Sequence, residues 1–149
     1  MYTSDIEMRR ARRLPFKTAI VYLAVSILCI LITNIYAIFG HGIRSDSMDF
    51  MFLYPLLGGT IVFLSVKLVL SRLLQKPHGI GISRVGYNLY NSGIASLTSA
   101  AMLTGIMEIA GTGSEWIQYI RITGIIFLVS AVIFQITISL NTTNKKLDV

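Results

Sequence analysis

Four apolar stretches, each about as long as a bilayer is thick, constrain this chain more than any other feature. The first, Thr18 to Phe39 (TAIVYLAVSILCILITNIYAIF), carries no charged residue. At ~1.5 Å of rise per residue, a helix of that length crosses a hydrocarbon layer of ~30 Å. Comparable stretches run from about 50 to 74, 85 to 110 and 116 to 140. Hydrocarbon offers no water to satisfy backbone groups, so spans of this kind fold as helices. The expected fold is an all-α integral membrane protein, a single domain over residues 1–149 in which four transmembrane helices form an antiparallel up-down bundle. Composition agrees: with 54% hydrophobic and 13% charged residues, the chain has more apolar side chains than a soluble domain of its size can bury.

The charges between the stretches orient them. Arg9, Arg10, Arg12, Arg13 and Lys17 crowd the segment before the first span, the connection QKPHGIGISR (75–84) is basic with no acid, and Lys145 and Lys146 follow the fourth span. The connection GHGIRSDSMD (40–49) balances one arginine with two aspartates. By the positive-inside bias both termini are cytoplasmic, N-in and C-in. The net charge of +6 is thereby explained by topology, and no aromatic-interleaved basic patch points to nucleic acid. The basic segment 1–17 also suits anionic lipid headgroups at Arg9, Arg10, Arg12 and Arg13, or a short interfacial helix broken at Pro15. Small loops and a strong arginine bias lean towards a bacterial plasma (inner) membrane.

Local signals refine the spans. Asp46 or Ser47 is the expected N-cap of the second, Ser114 that of the fourth, and Gly111 the stop of the third. Tyr54-Pro55 followed by Gly58-Gly59 predicts a kink or a close helix contact at 55–59. Lys67, about two turns from the inner end of its span, must snorkel or find a partner.

The third stretch, RVGYNLYNSGIASLTSAAMLTGIMEIAG, is too polar to face lipid on all sides. At about 100° per residue, Asn88, Asn91, Ala95, Ser99 and Met102 share an arc, which is expected to face protein as a seam of small residues with polar glue. Glu108 lies on another face, with Thr104, Leu97 and Tyr90. In the fourth span Arg121, Gly124, Leu128, Ala131, Gln135 and Ser139 recur at three- and four-residue steps, a second seam. If neighbouring spans are antiparallel, two polar layers follow. The outer is a Glu108–Arg121 ion pair, joined by Asn34, Tyr36 or Tyr54; the inner is a cluster of Asn88, Asn91 and Gln135 approached by Lys67.

Chemistry finds little foothold. Cys29 is the only cysteine, so no intramolecular disulfide forms. His41 and His78 fall in loops on opposite sides, which rules against haem ligation within the bundle, and no His/Cys/Asp/Glu set has metal-ligand spacing. Gly79-x-Gly81 lacks the strand and lysine of a phosphate loop and reads as a turn. No catalytic constellation, cofactor or metal is expected, and the chain is not read as an enzyme. The expected role is an accessory or assembly subunit that packs through the polar seams of its third and fourth helices, in a homo-oligomer or a larger membrane complex. The alternative is a small oligomeric transporter or channel coupled through Glu108 or Lys67.

Overall fold

The computed structural model describes residues 2–65 and 84–147, with side chains for 17–65 and 84–137. Helices α1 (Tyr2–Phe39) and α2 (Asp46–Asp49) are followed by a π-helical segment (Tyr54–Ile61), then α3 (Arg84–Ile109) and α4 (Trp116–Leu147). Among the described residues there is no strand. Four segments are long and apolar enough to cross a membrane: Lys17–Phe39, Asp46–Ser65, Arg84–Ile109 and Trp116–Thr137. The mean hydropathy of the best window falls from 2.3 in the first to 1.2 in the third, so α3 is the span that most needs protein around it.

Neighbour relations bear that out. α3 packs on α4 and on the second span, and the second span packs on α1, whereas among the described residues the helical segments of the second span and α4 do not pack on one another. The surface left outside is apolar. Val21, Leu28, Leu31 and Ile35 on α1, and Ile122, Ile126, Val129 and Ile133 on α4, each expose half or more of their area. In water such faces would associate; against lipid chains they are at rest.

α1 continues through Pro15, which corrects the expected break there. A proline deletes its own N–H bond and crowds the preceding turn, but the helical bonds on either side carry the chain past it. The helix ends at a left-handed turn in which the Gly42 N–H donates to the Ala37 carbonyl at 2.9 Å. Two consecutive residues there are left-handed, His41 at φ 56° and Gly42 at φ 84°. α3 ends in the same way, with the Thr112 N–H on Met107 O at 2.9 Å and Gly111 N–H on Glu108 O at 3.1 Å, but there the left-handed residue is glycine, at φ 68°. A side chain in that region costs ~1 kcal/mol or more. His41→Gly is therefore expected to raise unfolding stability by ~1 kcal/mol, measured as the shift of the denaturation midpoint in detergent; an unchanged or lowered midpoint contradicts the turn geometry.

The second span starts at Ser45, not at Asp46 or Ser47. Ser45 has extended dihedrals and its hydroxyl accepts the Met48 N–H. Three consecutive residues here can cap, and the one whose side chain is buried prevails: Ser45 is 5% exposed. Met48 and Met51 then insert beside Cys29 and Ala101 to form the core at this end, and the Thr33 hydroxyl donates to the Met48 carbonyl at 3.0 Å. The expected disturbance at 55–59 takes the form of a π-helix over Tyr54–Ile61. Pro55 provides no N–H for a regular turn, and the Gly58-Gly59 pair lets the widened backbone approach its neighbours. Gly59 lies directly against the Tyr22 ring of α1.

Candidate functional site

α3 and α4 meet along two matching series of small and medium side chains. On α4 the series is Arg121, Gly124, Leu128, Ala131 and Gln135, as the spacing predicts. A β-carbon on Gly124 would lie 3.1 Å from Leu97 and from Ser96, and one on Gly86 would lie 3.5 Å from Gln135 Oε1. On α3 the facing residues are Gly86, Gly93, Leu97 and Thr104, with the buried Ala100 on the same stripe at heptad steps. The expected arc of Asn88, Asn91, Ala95, Ser99 and Met102 is not the one that faces α4: Asn88, Ala95 and Ser99 are exposed, while Gly86, Gly93 and Ala100 are buried. Close approach decides between the two stripes, because van der Waals packing of small residues is the main attraction available between helices in lipid.

The inner polar layer is correspondingly different. Asn91 accepts a hydrogen bond from the Tyr22 hydroxyl at 2.6 Å, Gln135 sits beside Gly86, and Asn88 makes no hydrogen bond among the described residues. In place of an amide cluster stands a lattice of phenols. The Tyr87 hydroxyl and Thr18 Oγ1 are 2.9 Å apart, and the Tyr90 hydroxyl donates to the Gly58 carbonyl at 2.6 Å. Phe63, 7% exposed, lies among Tyr22, Tyr87 and Tyr90 with ring centroids 5.7 to 5.8 Å away. These contacts tie α1, the second span and α3 together. Tyr22, Phe63 and Tyr87 were absent from the expected site; the signal available was a set of aromatics recurring on three different spans. Lys67, the expected visitor to this layer, lies outside the described residues, as do Pro77 to Gly81 and the side chains of Arg9, Arg10, Arg12, Arg13 and Ser139.

At the hairpin end, where the loop before the second span meets the end of α3, Glu108 and Arg121 take different partners. Glu108 Oε2 accepts from the Ser45 hydroxyl and Oε1 from the Ser47 hydroxyl at 2.9 Å. The carboxylate thus closes over the first turn of the second span, whose free N–H groups favour negative charge. The expected ion pair with Arg121 is absent, since no Glu108–Arg121 contact falls within salt-bridge distance; among the described residues the one salt bridge is Arg44 Nε to Asp49 Oδ2, at 3.0 Å. That bond holds the Arg44 guanidinium above its ordinary pKa. Equal depth on antiparallel helices is not contact: Ser45 and Ser47, from a third element, reach the carboxylate first. Asn34 donates its amide to the Ile30 carbonyl one turn back in α1 and Tyr36 packs on the methionine core, so neither joins Glu108.

Arg121 instead donates from Nη2 to Thr104 Oγ1 at 3.3 Å. It lines a groove of about 510 Å³ whose floor is Ile94, Leu97 and Ala101 of α3 and whose walls are the second span, from Ser47 to Gly58, and Leu128 of α4. The groove exists because, among the described residues, the helical segments of the second span and α4 both pack on α3 without packing on one another.

No family model, curated protein or solved structure matches this chain.

The chemistry the site allows is read from these contacts. Among the described residues no three His, Cys, Asp or Glu side chains converge as metal ligands. Glu108 is a carboxylate held by two serines, and Arg121 a guanidinium facing an apolar groove.

Proposed function

We propose that this chain is an accessory or assembly subunit of a membrane complex. Its four spans run up and down with both termini cytoplasmic, in a bacterial plasma membrane, with the arginines at 9, 10, 12 and 13 set against anionic headgroups. The charge asymmetry of the loops supports that orientation. The observation that carries the assembly reading is the face of α3 left over by α4: Asn88, Ser92, Ala95 and Ser99 recur at three- and four-residue steps and are all exposed. Thr98, Thr104, Thr123 and Thr137 satisfy their hydroxyls on the carbonyl four residues back. Asn88, Ser92 and Ser99 make no such bond among the described residues. Small residues with free polar groups on a lipid-facing helix suit a second helix, since they permit close approach and offer hydrogen bonds worth ~0.6 to 2 kcal/mol each.

The alternative, a transporter or channel coupled through Glu108 or Lys67, draws less support. Both oxygens of Glu108 are engaged by serines at a loop, a geometry that suits holding a helix terminus.

The test is particle mass and composition after purification in mild detergent. The wild-type chain is expected in a complex heavier than a monomer, and Ser92→Leu/Ser99→Leu to release it as a monomer with an unchanged melting temperature. A monomeric wild-type particle overturns the assembly reading. A homo-oligomer whose proton-coupled flux disappears in Glu108→Gln replaces it with transport.

A further inference from the structure

The groove beside Arg121 is polar at one end and apolar along its length. At the hairpin end stand Ser47 and Arg121; away from it Leu57, Ile94, Leu97 and Leu128 dominate the lining, and the Tyr90 hydroxyl at the far end is bonded to the Gly58 carbonyl. Arg121 is partly buried and, among the described residues, has no carboxylate within salt-bridge distance and places one hydrogen bond, on Thr104. Most of its N–H donors therefore point to no group among the described residues, in a setting where an unpaired cation is costly. The nearby acid does not relieve it, because Glu108 is turned to Ser45 and Ser47.

The length of the groove identifies what fits. On the second span it extends from Ser47 to Gly58, and on α3 from Tyr90 to Ala101. At ~1.5 Å per residue each stretch covers roughly 16 Å, about half of the ~30 Å hydrocarbon layer. A transmembrane helix of a partner would require a groove along the full span. On α3 the lined stretch crosses the middle of the Arg84–Ile109 span. A cation at the hairpin end and an apolar wall reaching to the bilayer centre, over about the length of one acyl chain, therefore match a single lipid. The volume lies within the ~300–1,000 Å³ usual for ligand sites.

We propose that this groove binds one phospholipid, with the phosphate diester on the Arg121 guanidinium and an acyl chain along Leu57, Ile94, Leu97 and Leu128. The guanidinium fork suits a phosphate bidentately, and the gap between the second span and α4 gives the lipid lateral entry from the leaflet at the hairpin end. The site is independent of the exposed α3 stripe and stands whether or not the chain assembles through it.

The experiment uses the full chain, delipidated in a non-phospholipid detergent, with dioleoyl phosphatidylglycerol as the probe and dioleoylglycerol, which lacks the phosphate, as its control. Native mass spectrometry is expected to show one phosphatidylglycerol retained per chain. Arg121→Gln should lower that occupancy by ~10-fold or more, the worth of a charge-assisted hydrogen bond, while Arg121→Lys keeps part of it. In the wild type, phosphatidylglycerol should raise the melting temperature and dioleoylglycerol should not, a comparison that decides the matter even if the variants fold poorly. Equal occupancy in Arg121→Gln and wild type, or equal stabilisation by the two lipids, overturns the proposal.

Discussion

Gly105→Ala is expected to destabilise this protein by ~2–3 kcal/mol, the range for overpacking a filled site. A β-carbon at position 105 would lie 3.1 Å from both the Met48 amide nitrogen and its Cα. Those are backbone atoms of a residue that is 1% exposed, so they cannot turn aside as the end of a flexible side chain can. The one-turn helix α2 would have to move off α3, and Met48 and Met51 would leave the core they share with Cys29 and Ala101. Gly113→Ala is the internal control. It sits in the loop between α3 and α4 with nothing within 4 Å of a built β-carbon, and should change stability by less than ~0.5 kcal/mol. The measurement is the denaturation midpoint of each variant in the same detergent. If Gly105→Ala and Gly113→Ala unfold together, the close approach of α2 to α3 is wrong.

That contact also marks where sequence reasoning reaches its limit. The spans themselves were legible, since a charge-free run such as Thr18–Phe39 permits little besides a membrane helix. The α4 seam was legible as well: Arg121, Gly124, Leu128, Ala131 and Gln135 are the small or polar residues of an otherwise aliphatic helix, and they form one stripe. α3 was ambiguous because it carries two stripes at heptad steps. Weighing the cost of buried amides favours Asn88, Ala95 and Ser99; weighing backbone approach favours Gly86, Gly93 and Ala100, and the second consideration governs packing against α4. The disturbance at Pro55 could be placed from a proline followed by two glycines, but not its π-helical form, which depends on how Tyr22 and Tyr90 meet the widened turn. The partners of Glu108 lie 61 and 63 residues away, at the start of the second span, and a comparison of depths between the third and fourth spans has no access to that turn.

Glu108→Ala is expected to cost ~1–2 kcal/mol, since hydrogen bonds to a charged acceptor carry about that much and this carboxylate is exposed. It would leave the hydroxyls of Ser45 and Ser47 without the acceptor they share, and the first turn of the second span without a negative group at its N-terminus. A double-mutant cycle separates this arrangement from the ion pair suggested by depth alone. Glu108→Ala combined with Ser47→Ala should show a coupling of ~0.5–1 kcal/mol, as for groups in one hydrogen-bonded network. Glu108→Ala combined with Arg121→Gln should be additive within ~0.5 kcal/mol, when both are measured in delipidated detergent so that no ligand of Arg121 contributes. Arg121→Gln alone should not lower stability there, because it gives up only the 3.3 Å contact with Thr104 and removes an unpaired cation. A large Glu108–Arg121 coupling together with a vanishing Glu108–Ser47 coupling would restore the ion pair, and with it would remove the unpaired guanidinium on which the lipid site depends. The same cycle therefore bears on two levels at once: which element anchors the hairpin end, and whether α4 presents a free cation to the groove.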